Sequence, residues 1–297
     1  MRCIAGITTF QPQIDRLKKN VDSIYHQVSE VVVVDNNSNN IDDIERVLSA
    51  FNNVKLIKNS HNEGIAFAMN IIGNYAYNND YEWFLTLDQD SVCPPNMIET
   101  FLELIEPQIA IIVPFIKFND RFIGQLFRKN KETESTVNSI KESEEILYAV
   151  SSGQFINTKI WKKAGGFWDY LFIDYVDQEL CFHIRKMGYR IVRSNKCVLS
   201  HEPGITVKVL GIPTAKQNAI REYYCSRNCR LIYWLYREQF VSIIPHRPFL
   251  LTIKRIANVI LVREDIFKKL WAIFSGIFDA YKWRIKYKNM GRVPDNN

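Results

Sequence analysis

The sequence predicts an α/β protein: a mostly parallel sheet flanked by helices, followed by a C-terminal helical region. Three observations carry this. Short β-branched runs alternate with stretches of helical apolar spacing through the front of the chain. One of those runs, Val31 to Val34, is β-branched at every position rather than every second one, the pattern of a strand covered on both faces. From Phe249 onward only helical periodicity remains.

Taken in order, Ile4 to Thr8 reads as a strand, and Ile14, Leu17, Val21 and Ile24 fall at helical spacing. Val31-Val32-Val33-Val34 is a second strand; Ile44, Val47, Leu48 and Phe51 mark a second helix. Val54 to Ile57 is a third strand and Ile65 to about Tyr77 a third helix, before the apolar run Trp83 to Leu87. Strands alternating with helices imply parallel βαβ units with right-handed crossovers, a Rossmann-like nucleotide fold. Ile98 to Leu104 reads as a helix and Ile109 to Val113 as a strand, while Lys129 to Glu145 is polar and weakly periodic, an expected surface excursion. Ala149 to Phe155 reads as a strand with a glycine inside it, Gly165 to Asp169 as an aromatic turn, and Tyr189 to Val192 as a further strand. Val176, Leu180, Ile184 and Met187 make a helical stripe that Gly188 ends.

With 297 residues, 47% of them hydrophobic, the chain is long enough for a sizeable core in one large domain or two. The opening Met1 to Thr8 passes straight into a strand, without the apolar region and cleavage site of a signal peptide, and no stretch approaches a membrane span. A cytoplasmic protein, or one peripheral to the inner membrane face, is expected. The six cysteines show no Cys-x-x-Cys pair and read as reduced and structural. A formal charge of +6 favours anionic partners: nucleotide, nucleic acid or lipid headgroups.

The apolar run at Trp83 ends in Asp88-Gln89-Asp90-Ser91. Ligands gather beyond the carboxyl ends of strands in open α/β sheets, and residues i and i+2 share a face, so Asp88 and Asp90 are candidate ligands of one Mg²⁺ or Mn²⁺. A turn leading to Pro94-Pro95 explains the same residues. No Gly-x-Gly-x-x-Gly turn or Gly-Lys-Ser/Thr loop is present, which argues against dinucleotide enzymes and P-loop ATPases. Asp35-Asn36-Asn37-Ser38 follows the second strand; its polar groups suit a base or ribose, or a loop with an N-cap for the Ile41 helix. Gly64, at a helix start, permits close backbone approach.

Four separated pieces carry a resemblance: Ile7-Thr8-Thr9-Phe10, Val33 to Ser38, Asn62-x-Gly64-Ile65-Ala66-x-Ala68-x-Asn70, and Leu87 to Ser91. Together they resemble glycosyltransferase family 2, the inverting GT-A enzymes, and within it the bacterial rhamnosyltransferase-like branch, whose metal site characteristically reads Asp-Gln-Asp. The resemblance covers about residues 2 to 235. It implies that Thr9 and Asp35 contact the nucleotide and that Asp88 and Asp90 hold the metal on its diphosphate. Asn37, Asn62, Gly64 and Asn70 join them as nucleotide-side candidates. The expected domains are a GT-A domain over 1–235, with a nucleotide-binding half 1–115 and an acceptor half 116–235, and a helical amphipathic region over 236–297.

The family's base motif aligns with Val176-Asp177-Gln178-Glu179-Leu180, so the resemblance makes Asp177 the general base. Val176 stands where an acidic residue often does, leaving Asp174 and Glu179 as fallbacks; Asp174 as N-cap with Asp177 in the first turn is the purely structural alternative. His201, after a strand-like run, is a third metal candidate or an ordinary structural histidine. Arg221-Glu222-Tyr223-Tyr224-Cys225-Ser226-Arg227-Asn228 resembles the family's Tyr-Tyr-x-x-Arg-Asn segment, and Arg221 and Arg227 are candidates to clamp phosphates, or else surface salt bridges. In the tail, Ile266, Phe267, Leu270, Trp271, Phe274, Ile277, Phe278 and Tyr281 recur at helical spacing among lysines. That suits an amphipathic helix on anionic lipid; packing on the catalytic domain, with the lysines simply solvated, explains the same pattern and is the reading the spacing favours slightly.

These parts imply an inverting transferase moving a sugar from a nucleotide donor, with dTDP-β-L-rhamnose favoured, onto a polyprenol-linked saccharide of a bacterial surface polysaccharide. A UDP-hexose donor is the alternative within the family. A nucleotidyltransferase would want a Gly-rich basic loop where Thr8-Thr9-Phe10-Gln11-Pro12 stands. A non-catalytic anion-binding protein fits the charge but gives no reason for carboxylates at successive strand ends, and nucleic acid is not expected as a partner.

Overall fold

A computed structural model describes residues 1–118, 121–123, 125–126, 142–200, 206–209, 212–215, 217–240, 248–287 and 292. The chain forms two compact units, Met1–Phe167 with Leu180–Glu202, and Trp168–Glu179 with Pro203–Asn297.

The first unit runs β1 (Cys3–Thr9), α1 (Ile14–Ile24), β2 (Glu30–Asp35), α2 (Ile41–Leu48), β3 (Val54–Lys58), α3 (Gly64–Asn78), β4 (Trp83–Asp88), α4 (Met97–Leu102) and β5 (Ile109–Phe118). There follow β6 (Arg121–Ile123), β7 (Gln125–Leu126), β8 (Ser143–Tyr148), β9 (Gln154–Asn157) and α5 (Thr158–Lys163). After α6 (Val176–Lys186), whose first turn belongs to the second unit, β10 (Arg190–Ser200) completes one sheet ordered β3-β2-β1-β4-β9-β5-β10-β8-β7, with β6 beside β5. The β3-β2-β1-β4 half is parallel throughout, and β10 is parallel to β5. β9 enters antiparallel between β4 and β5.

Alternation along the strands explains the layers. Ala5, Ile7, Val31, Val33, Leu85 and Leu87 share a core with Leu17, Val21 and Ile24 of α1 and Ile44 and Leu48 of α2. The intervening Ile4, Val32, Val34 and Phe84 are just as buried, and α3 lies against β1 and β2. Both faces are covered, so each buried Val, Ile, Leu or Phe contributes about 1.5–3 kcal/mol by leaving water, and largely apolar runs follow. Aromatic rings join β9 to this core: Trp83 stacks on Phe155 with centroids 5.0 Å apart.

Two expectations change. The strand expected over Ala149 to Phe155 begins only at Gln154, because Ser151 to Gly153 turn: Ser151 O accepts the Thr86 hydroxyl at 2.5 Å and Gly153 N–H donates to Thr86 O at 2.7 Å. Ser143 to Glu145, expected within a polar excursion, pair with β10 as part of β8, while residues 129–141 lie outside the described residues.

In the second unit a 3-10 turn (Asp169–Leu171) precedes the hairpin β11 (Thr206–Val209) and β12 (Ile212–Ala215), then α7 (Ala219–Phe240), α8 (Pro248–Val262) and α9 (Ile266–Tyr287). Polar side chains lock α7 to its neighbours: Arg255 pairs with buried Glu222 at 2.9 Å, Arg230 donates to Thr252 Oγ1 at 2.8 Å, and Tyr223 donates to Asp279 at 2.8 Å. The tail is therefore two helices, divided where Arg263 and Asp265 take left-handed φ of 57° and 46°.

Candidate active site

Parallel register brings the carboxyl ends of three strands level. Thr9 lies opposite Asp35, and Thr8 opposite Asp88. The Asp35 carboxylate, 1% exposed, accepts the Thr9 hydroxyl at 2.9 Å, the Ser38 hydroxyl at 2.5 Å and the Ser38 N–H at 2.8 Å. Asp35 thus shapes the turn that leaves Asn37 exposed with φ of 65°. Asn36 bridges outward, donating to Gly64 O at 3.2 Å and accepting from Asn59 at 2.8 Å. Asn62 Oδ1 in turn accepts the Gly64 N–H at 2.9 Å. Thr9, Asp35, Asn37, Asn62 and Gly64 therefore stand around one sheet edge, tied by neutral and charge-assisted hydrogen bonds. The expected N-cap for the Ile41 helix is not made: Asn40 occupies that position and its amide donates to Pro12 O at 3.0 Å.

Beside them the chain turns after β4, with Ser91 N–H donating to Asp88 O at 3.2 Å. Asp88 and Asp90 are partly exposed, and between them Gln89 Oε1 accepts the Phe10 N–H at 2.9 Å, tying the turn to the end of β1. Among the described residues no three His, Cys, Asp or Glu gather into a closed cage. Two hard carboxylates at an open turn fit Mg²⁺ or Mn²⁺, which keep waters and take up phosphate oxygens, better than a structural zinc site. His201 lies outside the described residues.

The turn is held from two sides by residues that the motifs do not include. From α1, Asn20 donates to Asp88 O at 2.5 Å and Ser23 Oγ accepts the Cys93 N–H at 3.0 Å, and just past the helix end Gln27 donates to Pro94 O at 2.9 Å. Asn20 and Ser23 share one helix face, the readable signal being polar residues interleaved with the Leu17, Val21 and Ile24 stripe, and Gln27 lies in the turn that follows. From the other side Ser151 Oγ donates to Asp88 Oδ1 at 3.4 Å, and Ser152 and Ser91 share a hydrogen bond between their hydroxyls.

Asn70 is placed differently from the strand-end group. Its side-chain amide both donates to and accepts from the Phe167 backbone. Gly166 sits under it with φ of 76°, where a Cβ would come 2.7 Å from Asn70 Oδ1. That gives Asn70 and the glycine pair a structural account.

In the second unit, the chain before α6 carries three left-handed non-glycine residues, Phe172, Asp174 and Tyr175, with φ of 61°, 62° and 68°. Such residues cost about 1–3 kcal/mol each and persist only where neighbours hold them. α7 does so. Arg221 forks onto Asp174 at 2.5 and 3.2 Å, Tyr224 stacks on Phe172 with centroids 4.7 Å apart, and Asn228 Nδ2 donates to the carbonyls of Leu171, Ile173 and Asp174, each at 2.9 Å. Buried Arg227 donates to Tyr170 O and lies 4.3 Å from the Tyr170 ring centroid. The two arginines read as phosphate clamps are thus engaged with this loop, and the Asp174 carboxylate raises the Arg221 guanidinium above its ordinary value.

α6 begins at Val176, so Asp174 lies two residues ahead of it, and its carboxylate pairs with Arg221; buried Glu179 receives Tyr236 and Arg292. Burial, then the nearby Glu179 charge, pushes the Tyr236 phenol well up. Asp177 sits in the first turn of α6, its Oδ1 accepting the Gln178 N–H at 2.8 Å.

Comparison with known proteins names this arrangement. Residues 5–166, more than half the chain, match Glycosyl transferase family 2. The chain belongs to that family. This family 2 chain is 29% identical over 259 residues to the dTDP-rhamnosyl transferase RfbF of Shigella flexneri, covering 85% of this chain and 83% of the relative. Among solved structures it is similar to GalNAc-T7 crystallised with UDP, GalNAc and Mn²⁺, at a TM-score of 0.61 and 14% identity, over 96% of this chain but 56% of that one. It is also similar to residues 1–349 of Staphylococcus aureus TarS in complex with UDP-GlcNAc, at a TM-score of 0.51 and 14% identity, over 98% of this chain and 93% of that one. These neighbours share its GT-A fold. Family membership makes the chain a glycosyltransferase.

Proposed function

We propose that the chain is an inverting rhamnosyltransferase that takes L-rhamnose from dTDP-β-L-rhamnose and places it on a hydroxyl of a polyprenol-linked saccharide in bacterial surface polysaccharide synthesis. The observation that carries the donor is the 29% identity to a dTDP-rhamnosyl transferase over 85% of the chain. Asp88-Gln89-Asp90 at the turn after β4 agrees with it.

In this reading Thr9, Asp35, Asn37, Asn62 and Gly64 form the nucleotide side of the site, and Asp88 and Asp90 hold the divalent cation, with His201 the further candidate. Bound there, Mg²⁺ or Mn²⁺ supplies Lewis-acid stabilisation of the charge growing on the diphosphate. Asp177 accepts the proton of the acceptor hydroxyl as its oxygen attacks the anomeric carbon. The new carbon–oxygen bond forms as the bond to the diphosphate breaks, dTDP leaves, and the product is an α-L-rhamnoside. Arg221 and Arg227 serve the base by fixing the loop before it.

The test is calorimetry with Mg²⁺ or Mn²⁺ across dTDP-rhamnose, UDP-glucose, UDP-galactose, UDP-GlcNAc and GDP-mannose. Metal-dependent preference for dTDP-rhamnose is the expected result. Preference for a UDP-sugar overturns the donor assignment while leaving the family intact.

A further inference from the structure

The charge surplus of the chain lies entirely in its last fifty residues. From Pro248 onward there are ten Lys and Arg against four Asp and Glu, equal to the +6 of all 297 residues.

α9 has two apolar faces. Lys269, Ile273, Gly276, Ala280 and Trp283 are buried, and Gly276 marks the approach to α7, since a Cβ there would lie 2.3 Å from Tyr223 O. On the opposite face Phe267, Trp271, Phe274, Phe278, Tyr281 and Ile285 are from 50% to 89% exposed. At about 100° per residue all six fall within roughly 40° of one line, some 27 Å long. Exposed Lys268, Lys282 and Lys286 run along one flank of it. α8 adds exposed Leu250, Ile253, Ile260 and Leu261. So continuous an aromatic stripe is not what a solvated surface leaves bare.

We infer that α9 docks on an anionic bilayer, its aromatic stripe at the acyl boundary and the flanking lysines among headgroup phosphates. Among the described residues no helix is long and apolar enough to cross a membrane, so α9 lies on the surface rather than spanning it. Charge complementarity selects the occupant. A second copy would bring two tails of like charge together, whereas an anionic surface neutralises one. The inference does not depend on which sugar is transferred.

Co-sedimentation of the full chain with vesicles of phosphatidylcholine, alone or mixed with phosphatidylglycerol, tests it. Binding is expected on the mixed vesicles, falling at least about tenfold in Trp271→Glu/Phe274→Glu/Phe278→Glu and in Lys268→Glu/Lys282→Glu/Lys286→Glu, and for the parent chain with added salt. Circular dichroism of each variant should match the parent, since every altered side chain is exposed. Equal pelleting of parent and both variants overturns the inference. So does no pelleting at all, or a concentration-dependent dimer that the aromatic variant abolishes in a chain that ignores vesicles.

Discussion

Asn70 and Phe167 exchange two hydrogen bonds across 97 residues, the amide donating to Phe167 O at 2.9 Å and accepting the Phe167 N–H at 2.8 Å. One side chain thereby does the work of a strand partner and pins the Gly165-Gly166 turn to α3.

Asn70→Ala removes both bonds and strands two backbone groups, so a loss of about 2–3 kcal/mol is expected. Asn70→Asp keeps the acceptor and loses the donor, and should fall between. Urea unfolding followed by circular dichroism checks this: the midpoint should drop with an unchanged slope, and an unmoved midpoint for Asn70→Ala would refute the clamp.

Asp177→Asn should lower kcat by at least about a hundredfold while leaving donor affinity within a factor of about two, as expected of a lost general base. Glu179→Gln has a different signature. It unbalances the buried pair with Arg292, so its main effect should be a lower melting temperature. Near-normal turnover in Asp177→Asn would end the base assignment.

Asp90→Ala should weaken donor binding only when Mg²⁺ or Mn²⁺ is present, and the wild-type chain should lose the same affinity on adding EDTA. Calorimetry with and without chelator reads both. Donor binding indifferent to EDTA removes the cation from the site.

Alkaline stability should fail from about pH 9 upward. Burial pushes the Cys3 thiol up to about 11 and those of Cys93 and Cys197 to about 12, from an ordinary 9.0. Above pH 9 the unfolded chain has released protons that the folded chain still holds, so stability falls as pH rises towards the folded values. Each thiol contributes a slope of at most about 1.4 kcal/mol per pH unit. Melting temperatures over pH 7 to 11 in reductant, about a mid-range window for these groups, should be flat and then fall; Cys93→Ser, which cannot ionise there, should soften the fall. All six cysteines are buried, so a thiol reagent at neutral pH should label them only after denaturation.

The front of the sheet was legible because parallel strands buried on both faces read as unbroken apolar runs, and the polar residues that end them must stand at one edge. Thr9, Asp35 and Asp88 follow from that. Asn70 gave no such signal, since its partner is backbone far along the chain. Arg221 and Arg227 carry the right residue type for phosphate; that Arg221 meets the Asp174 carboxylate and Arg227 the Tyr170 carbonyl could not be read, because the positive φ of Phe172, Asp174 and Tyr175 that shapes this loop leaves no compositional trace. Ser151 to Gly153 looked like strand because short apolar flanks mask a turn whose hydrogen bonds go to Thr86.

The insertion of β9 between β4 and β5 has a bearing on how this enzyme is made. β4 receives its second neighbour only when Gln154–Asn157 has left the ribosome, well after the strand itself. Until then the nascent chain offers an open backbone edge at Trp83 to Thr86, with the Trp83 ring lacking Phe155. A fragment ending at residue 115 would keep that edge permanently. Vectorial synthesis therefore leaves the Asp88 turn held only from the Asn20 to Gln27 side until the Ser151 to Gly153 turn arrives, and the donor side of this transferase matures from the middle of its chain.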